Sequence, residues 1–234
     1  MNAYNISHGI PRLLPLLAMV AVLQLLSLAA HADEADYIEG DPQYCLGCHG
    51  AQGIKPVAGI LKTPHADKSN PHSPFAQRGC QSCHGPSMQH MQYGDDGKPK
   101  LPPVTFGSNT PASEQNAVCL GCHTDSNRGH WSGSTHEFEG LACSSCHTIH
   151  ALQDPVLQKT GQMGICLDCH RERRADIQKQ SSHPLKEGLM QCSDCHNPHG
   201  SMGDKLVKKS SVNETCFQCH AEKRGPFLWE HAPV

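Results

Sequence analysis

Seven times in 234 residues the chain writes two cysteines, two intervening residues and a histidine. The units are Cys45, Cys48, His49; Cys80, Cys83, His84; Cys119, Cys122, His123; Cys143, Cys146, His147; Cys166, Cys169, His170; Cys192, Cys195, His196; and Cys216, Cys219, His220. They consume all 14 cysteines. Paired cysteines alone also serve zinc sites and redox dithiols. A histidine fixed after every pair, with no cysteine left over, points instead to covalent c-type haem, two thioethers per porphyrin and the histidine on one axial face of the iron. Seven covalent haems and seven proximal ligands follow.

The motif also decides how such a chain can fold. From Asp33 onward, 30 of 202 residues, about 15%, are Leu, Ile, Val or Phe, a level at which a polypeptide does not bury enough apolar surface for a core of its own. Porphyrin faces have to supply that core. The expected fold class is therefore a multihaem cytochrome c, short α-helices and long loops wrapped around a haem wire, with little or no β. The first 32 residues read as a cleaved signal peptide, Arg12 before an apolar run from Leu13 to Leu28 and a small-residue site at Ala30-His31-Ala32. Residues 33–234 are then one exported heptahaem domain, periplasmic in destination. Removing Arg12 leaves 18 basic against 22 acidic residues, a net charge of −4. Haem propionates add to that, and the balance excludes nucleic acid as a partner.

First cysteines follow one another at 35, 39, 24, 23, 26 and 24 residues, a repeat array rather than a string of independent domains. Extra histidines cluster at the even-numbered sites: His65, His72 and His90 around the second, His136 and His150 around the fourth, His183 and His199 around the sixth. The repeat therefore has a period of two haems. Thr110-Pro111 suits a helix start running into Cys119, and Ser211-x-x-Glu214 reads as a capping box leading into Cys216. Past the seventh site His231 is followed by only three residues, so the array is expected to be incomplete at its carboxyl end.

The 16 mature histidines leave nine, after the seven proximal ones, for seven distal positions. Met88, Met91, Met163, Met190 and Met202 compete for those positions but share no offset from the motifs, and read as packing residues. The histidines do share offsets. His150 and His199 each lie three residues after a proximal ligand, and His136 and His183 lie seven and nine before a first cysteine. At that separation His199 cannot reach round the porphyrin held by Cys192 and Cys195, so any iron it binds belongs to a neighbour. At the second site spacing alone favours His72, eight residues before Cys80, over His65 at 15.

In 182–186, in 192–201 and in 211–226 with 229–234, the chain resembles the MtrA/DmsE type of decahaem cytochrome, and the resemblance runs over nearly all of the mature sequence. It implies bis-histidine haems in a staggered wire, with distal ligands His65, His90, His136, His150, His183, His199 and His231, and with His72 and His130 as spares. At the second site it prefers His65 where spacing prefers His72. It also implies a place at the outer membrane, a porin-like barrel as partner, an outer-surface multihaem cytochrome or reductase beyond it, and an inner-membrane or periplasmic cytochrome as donor. Metal oxide or dimethyl sulfoxide reduction, or iron oxidation in reverse, are the respirations it suggests. Family members carry ten haems; three are missing here.

Iron with both faces occupied offers substrate no coordination position, so the expected role is electron transfer and not enzymatic reduction. Two alternatives are a soluble periplasmic shuttle to a terminal reductase and a multihaem nitrite or hydroxylamine reductase. The latter needs an open iron face, and such enzymes often replace a proximal histidine, which none of the seven units does.

Overall fold

A computed structural model of the chain describes residues 36–226 except Asp41, Ile54 and Pro56. The proposed signal peptide, 1–32, and His231 lie outside the described residues. Among the described residues there are short α-helices, 3₁₀ turns and loops, with two isolated β-bridges, Tyr93 to Pro99 and His196 to Val207, in place of sheet. This is the helix-and-loop architecture that the composition demands.

Helices form where the attachment motifs are. Gln43–His49 carries the first site and Gln81–His84 the second. Ala112–Leu120 runs into the third, Lys159–Cys169 contains both cysteines of the fifth, Cys192–Cys195 spans the sixth and Val212–Cys216 enters the seventh. The start of Ala112–Leu120 differs from expectation: its cap position is Pro111, and the Thr110 hydroxyl accepts the Thr105 N–H at 3.0 Å instead of capping the helix. At the carboxyl end Ser211 Oγ accepts the Glu214 N–H at 3.1 Å, half of the expected box. The other half is spent elsewhere, because the Glu214 carboxylate forms a two-pronged pair with Arg224 at 2.9 and 3.2 Å.

Buried amides, not apolar contacts, join the sites in twos. Four residues before Cys119, Gln115 accepts the Ser144 hydroxyl at 2.9 Å, and beside it Asn116 accepts the Cys143 N–H at 2.7 Å and donates to the Leu141 carbonyl at 3.0 Å. Four residues before Cys166, Gln162 takes the same part: it accepts the Ser193 N–H at 2.8 Å and donates to the Ser193 hydroxyl at 3.0 Å. Third and fourth sites, and fifth and sixth, are thus stapled by equivalent residues. Such fully satisfied buried amides fix register, since an unpaired one would cost about 1–3 kcal/mol.

The apolar core is thin. Ile60, Phe75, Trp131, Ala142, Leu167 and Val207 are buried, none completely, while Phe138 is 87% exposed and Leu157 and Leu189 66% each. Among the described residues the chain's own side chains do not enclose an apolar interior, in keeping with a fold that depends on a bound apolar group.

Candidate functional site: a row of facing imidazoles

Among the described residues, six proximal histidines each face a second histidine at a narrow range of ring-centre distances. His49 faces His90 at 6.1 Å, His84 faces His150 at 6.1 Å, and His123 faces His65 at 6.0 Å. His147 faces His199 at 6.0 Å, His170 faces His136 at 6.2 Å, and His220 faces His183 at 6.2 Å. A metal–imidazole bond of about 2.0 Å plus about 1.1 Å from nitrogen to ring centre puts two trans imidazoles about 6.2 Å apart across one metal ion. Direct ring stacking would bring them closer. The gaps are thus of the size an iron porphyrin requires, each with a Cys-x-x-Cys pair beside it for the thioethers, and the residues fit covalent haem.

The pairing corrects the reading of the second site. Neither His65 nor His72 faces His84; His150 does, and His65 crosses to the third site. Apart from His72, every extra histidine of an even site faces the proximal histidine of a different site. Those ahead of an even motif, His65, His136 and His183, face the next odd proximal histidine. Those three residues behind one, His150 and His199, reach back to the even site before it. His90 reaches back to the first site. No second imidazole faces His196 among the described residues, and His231 lies outside them. His72 and His130 face no second imidazole among the described residues, and Met88, Met91 and Met202 are exposed.

Supply direction also sets ring orientation. The three pairs supplied from ahead are crossed, with interplanar angles of 77°, 64° and 52°. The three supplied from behind are near parallel, at 26°, 28° and 12°.

Two glycines let the reach-back loops dock. A Cβ on Gly59 would lie 2.4 Å from the His150 carbonyl oxygen, and one on Gly200, which also has φ +107°, would lie 2.0 Å from that of His130. Only glycine permits both approaches.

The second ring nitrogens are aimed as iron ligands need. His84 Nδ1 meets the Val104 carbonyl at 2.9 Å, His196 Nδ1 the Lys205 carbonyl at 2.9 Å, and His136 Nδ1 the Pro198 carbonyl at 2.7 Å; His90 Nδ1 meets that of Lys100. A carbonyl only accepts, so each Nδ1 carries the proton and each Nε2 keeps a free lone pair. His147 Nδ1 instead meets a carboxylate oxygen of Asp154 at 2.6 Å. Burial lowers the pKa of His65, His123, His150 and His199, with the Arg128 charge adding to this at His123 and His199, so these imidazoles favour the neutral, ligating form.

The attachment thiols lie close in chain order. Cys119 lies beside Cys143 and Cys166 beside Cys192, close enough that each pair is coupled: Cys143 and Cys192 are pulled down to about 7, and Cys119 and Cys166 are raised. Cys83 feels Cys122, Cys146 feels Cys169, and Cys195 feels Cys216 and Cys219. From the second site to the seventh, sites adjacent in sequence are therefore adjacent in space. No disulfide joins any of the 14 cysteines, and no cluster of three or more metal-binding side chains occurs among the described residues.

Gln115, Asn116, Gln162 and Asp154 are site residues that motif reading misses. The shared offset of Gln115 and Gln162, four before a first cysteine, was the available signal; Asp154 has no counterpart in the repeat.

Comparison with known proteins agrees with this geometry. Residues 183–225 match the family described as a doubled CXXCH motif, and residues 80–169 match the cytochrome c-type protein NrfB-like family. The chain is 47% identical over 203 residues to the multiheme cytochrome MtrA of Shewanella baltica, covering 86% of this chain and 59% of MtrA. It is 33% identical to the cytochrome c-type protein NrfB of Escherichia coli, covering 56% of this chain and 66% of that protein. With NrfB of Haemophilus influenzae the identity is 29%, over 62% of this chain and 77% of the relative. The chain thus spans about three fifths of the MtrA it matches. Its repeated motifs, its facing imidazoles and these likenesses give it the fold class of a multihaem cytochrome c, helices and loops, similar to MtrA over the matched residues.

Proposed function

We propose that residues 33–234, exported by a signal peptide cleaved after residue 32, hold seven covalent haems and conduct electrons through the periplasm to the outer membrane. The observation that carries this reading is the set of six histidine pairs 6.0–6.2 Å apart, each beside an attachment cysteine pair. Bound haem supplies one-electron exchange between ferric and ferrous iron. The protein would do the rest: the 14 cysteines would tether the haems, seven proximal histidines (His49, His84, His123, His147, His170, His196 and His220) would each hold one iron, and His90, His150, His65, His199, His136, His231 and His183 would hold the same irons, in that order. Two imidazoles per site exclude substrate from the iron, so the activity is electron transfer and not reduction of nitrite or another small substrate. Likeness to MtrA supports an outer-membrane conduit as the setting, with a porin-like barrel and a surface multihaem cytochrome or reductase as partners and an inner-membrane or periplasmic cytochrome as donor.

Two measurements test this. Pyridine haemochrome analysis of the purified holoprotein should give seven haems per chain, and paramagnetic resonance should give low-spin ferric signals alone; a high-spin signal of one haem or more would favour the reductase. Extraction in detergent should bring a β-barrel protein with it, and the pair in liposomes should pass electrons from trapped dithionite to an external acceptor. Recovery as a free soluble protein that transfers electrons only in solution would establish the shuttle instead.

A further inference from the structure

We propose that Asp154 makes the haem of the fourth site, held by Cys143, Cys146, His147 and His199, the lowest-potential member of the array. The inference rests on the haem reading above and adds a tuning residue to it.

Where the second nitrogen of a proximal imidazole has a hydrogen-bond partner, that partner is elsewhere a neutral carbonyl, 2.9 Å from His84 and from His196. Glu222 stands 3.5 Å from His220 and Glu172 4.0 Å from His170, but all four side chains are more than half exposed, where water screens the charge. Asp154 differs in every respect. Its Oδ2 lies 2.6 Å from His147 Nδ1, and its side chain is 12% exposed. Its Oδ1 accepts the backbone N–H groups of Thr148 and Val156 at 3.1 and 3.4 Å, at the start of the Pro155–Leu157 turn, so the carboxylate cannot swing away. A fixed, shielded anion accepting the Nδ1 proton pushes electron density through the ring to Nε2. A more basic ligand and a nearby negative charge both favour ferric over ferrous iron. The opposing charge nearby, Arg128 beside His199, is paired with Asp125 at 2.6 Å, which offsets part of it. The fourth of seven stations then becomes an uphill step that electrons cross without resting.

The test is a redox titration of haem-loaded Asp154→Asn, which keeps an acceptor beside His147 but removes the charge. The lowest-potential one-electron component should rise towards the other six, which stay in place. A lowest component that does not move, or a uniform shift of all seven, overturns the proposal. The native protein gives a second reading without any substitution. Near-parallel axial imidazoles give a rhombic low-spin signal with three separated g values, and crossed ones a single large-g feature. As the native protein is reduced, the last ferric signal to vanish should be rhombic; a large-g signal vanishing last overturns the proposal. Seven haems with an unmoved lowest component would sink the role of Asp154 alone, whereas no haem at Cys143 would sink the haem reading with it.

Discussion

At the scale of single residues, His199 carries the most information about how this chain is wired. It stands three residues past His196 but faces His147, so replacing it changes a different site from the one it adjoins. His199→Met should raise the potential of the haem at Cys143 and leave that at Cys192 in place, because thioether replaces imidazole as axial donor; potentiometry of the two haems checks this. In the same way His150→Ala should turn the haem at Cys80 high-spin in paramagnetic resonance, while His72→Ala should change no haem. The sequence offered both His65 and His72 for the second site and gave no means of choosing His150, because spacing along a chain does not say which loop folds back. Proximal ligands are a different case: covalent attachment at Cys-x-x-Cys forces the next residue under the same iron, so His84 was legible from the motif alone.

At the scale of elements, the two-haem unit is the working part. Gln162 bridges the Lys159–Cys169 helix to Ser193 of the next site, and Gln162→Ala would leave the Ser193 N–H without its acceptor. A loss of about 1–3 kcal/mol is expected, read from denaturant unfolding. Gly200→Ala should be as costly, about 1–3 kcal/mol for the left-handed backbone alone, and should also put His199 out of place, giving a high-spin signal from one haem. The alternation of ring planes is testable as well. Oxidised protein should show two low-spin classes, a large-g class that includes the haems at the third and fifth sites, and a rhombic class. The helices that carry an attachment motif were readable from it, while Pro74–Gln77, Thr135–Phe138 and Arg173–Ile177 lie between motifs. Capping was half readable: Ser211 caps as its spacing predicts, but Glu214 turns to Arg224, a partner ten residues away that no local pattern contains.

At the scale of the whole molecule, the chain depends on what it binds. Among the described residues buried apolar side chains are few and none is fully enclosed, so the polypeptide made without haem attachment should be largely unfolded by circular dichroism. His231→Ala should make one haem high-spin, that of Cys192; unchanged low-spin spectra would mean that His196 takes its partner from elsewhere. Composition and motif by themselves determined the class and the thin core among the described residues, and they put forward the attachment cysteines and proximal histidines, since each follows from five consecutive residues or from the apolar content of the chain. Which imidazole meets which, how the rings are turned and where a carboxylate lies behind one of them were decided by tertiary structure alone. Those depend on loops brought together across tens of residues, held by glycine contacts and buried amides whose partners are set only when the chain has closed around its cofactors.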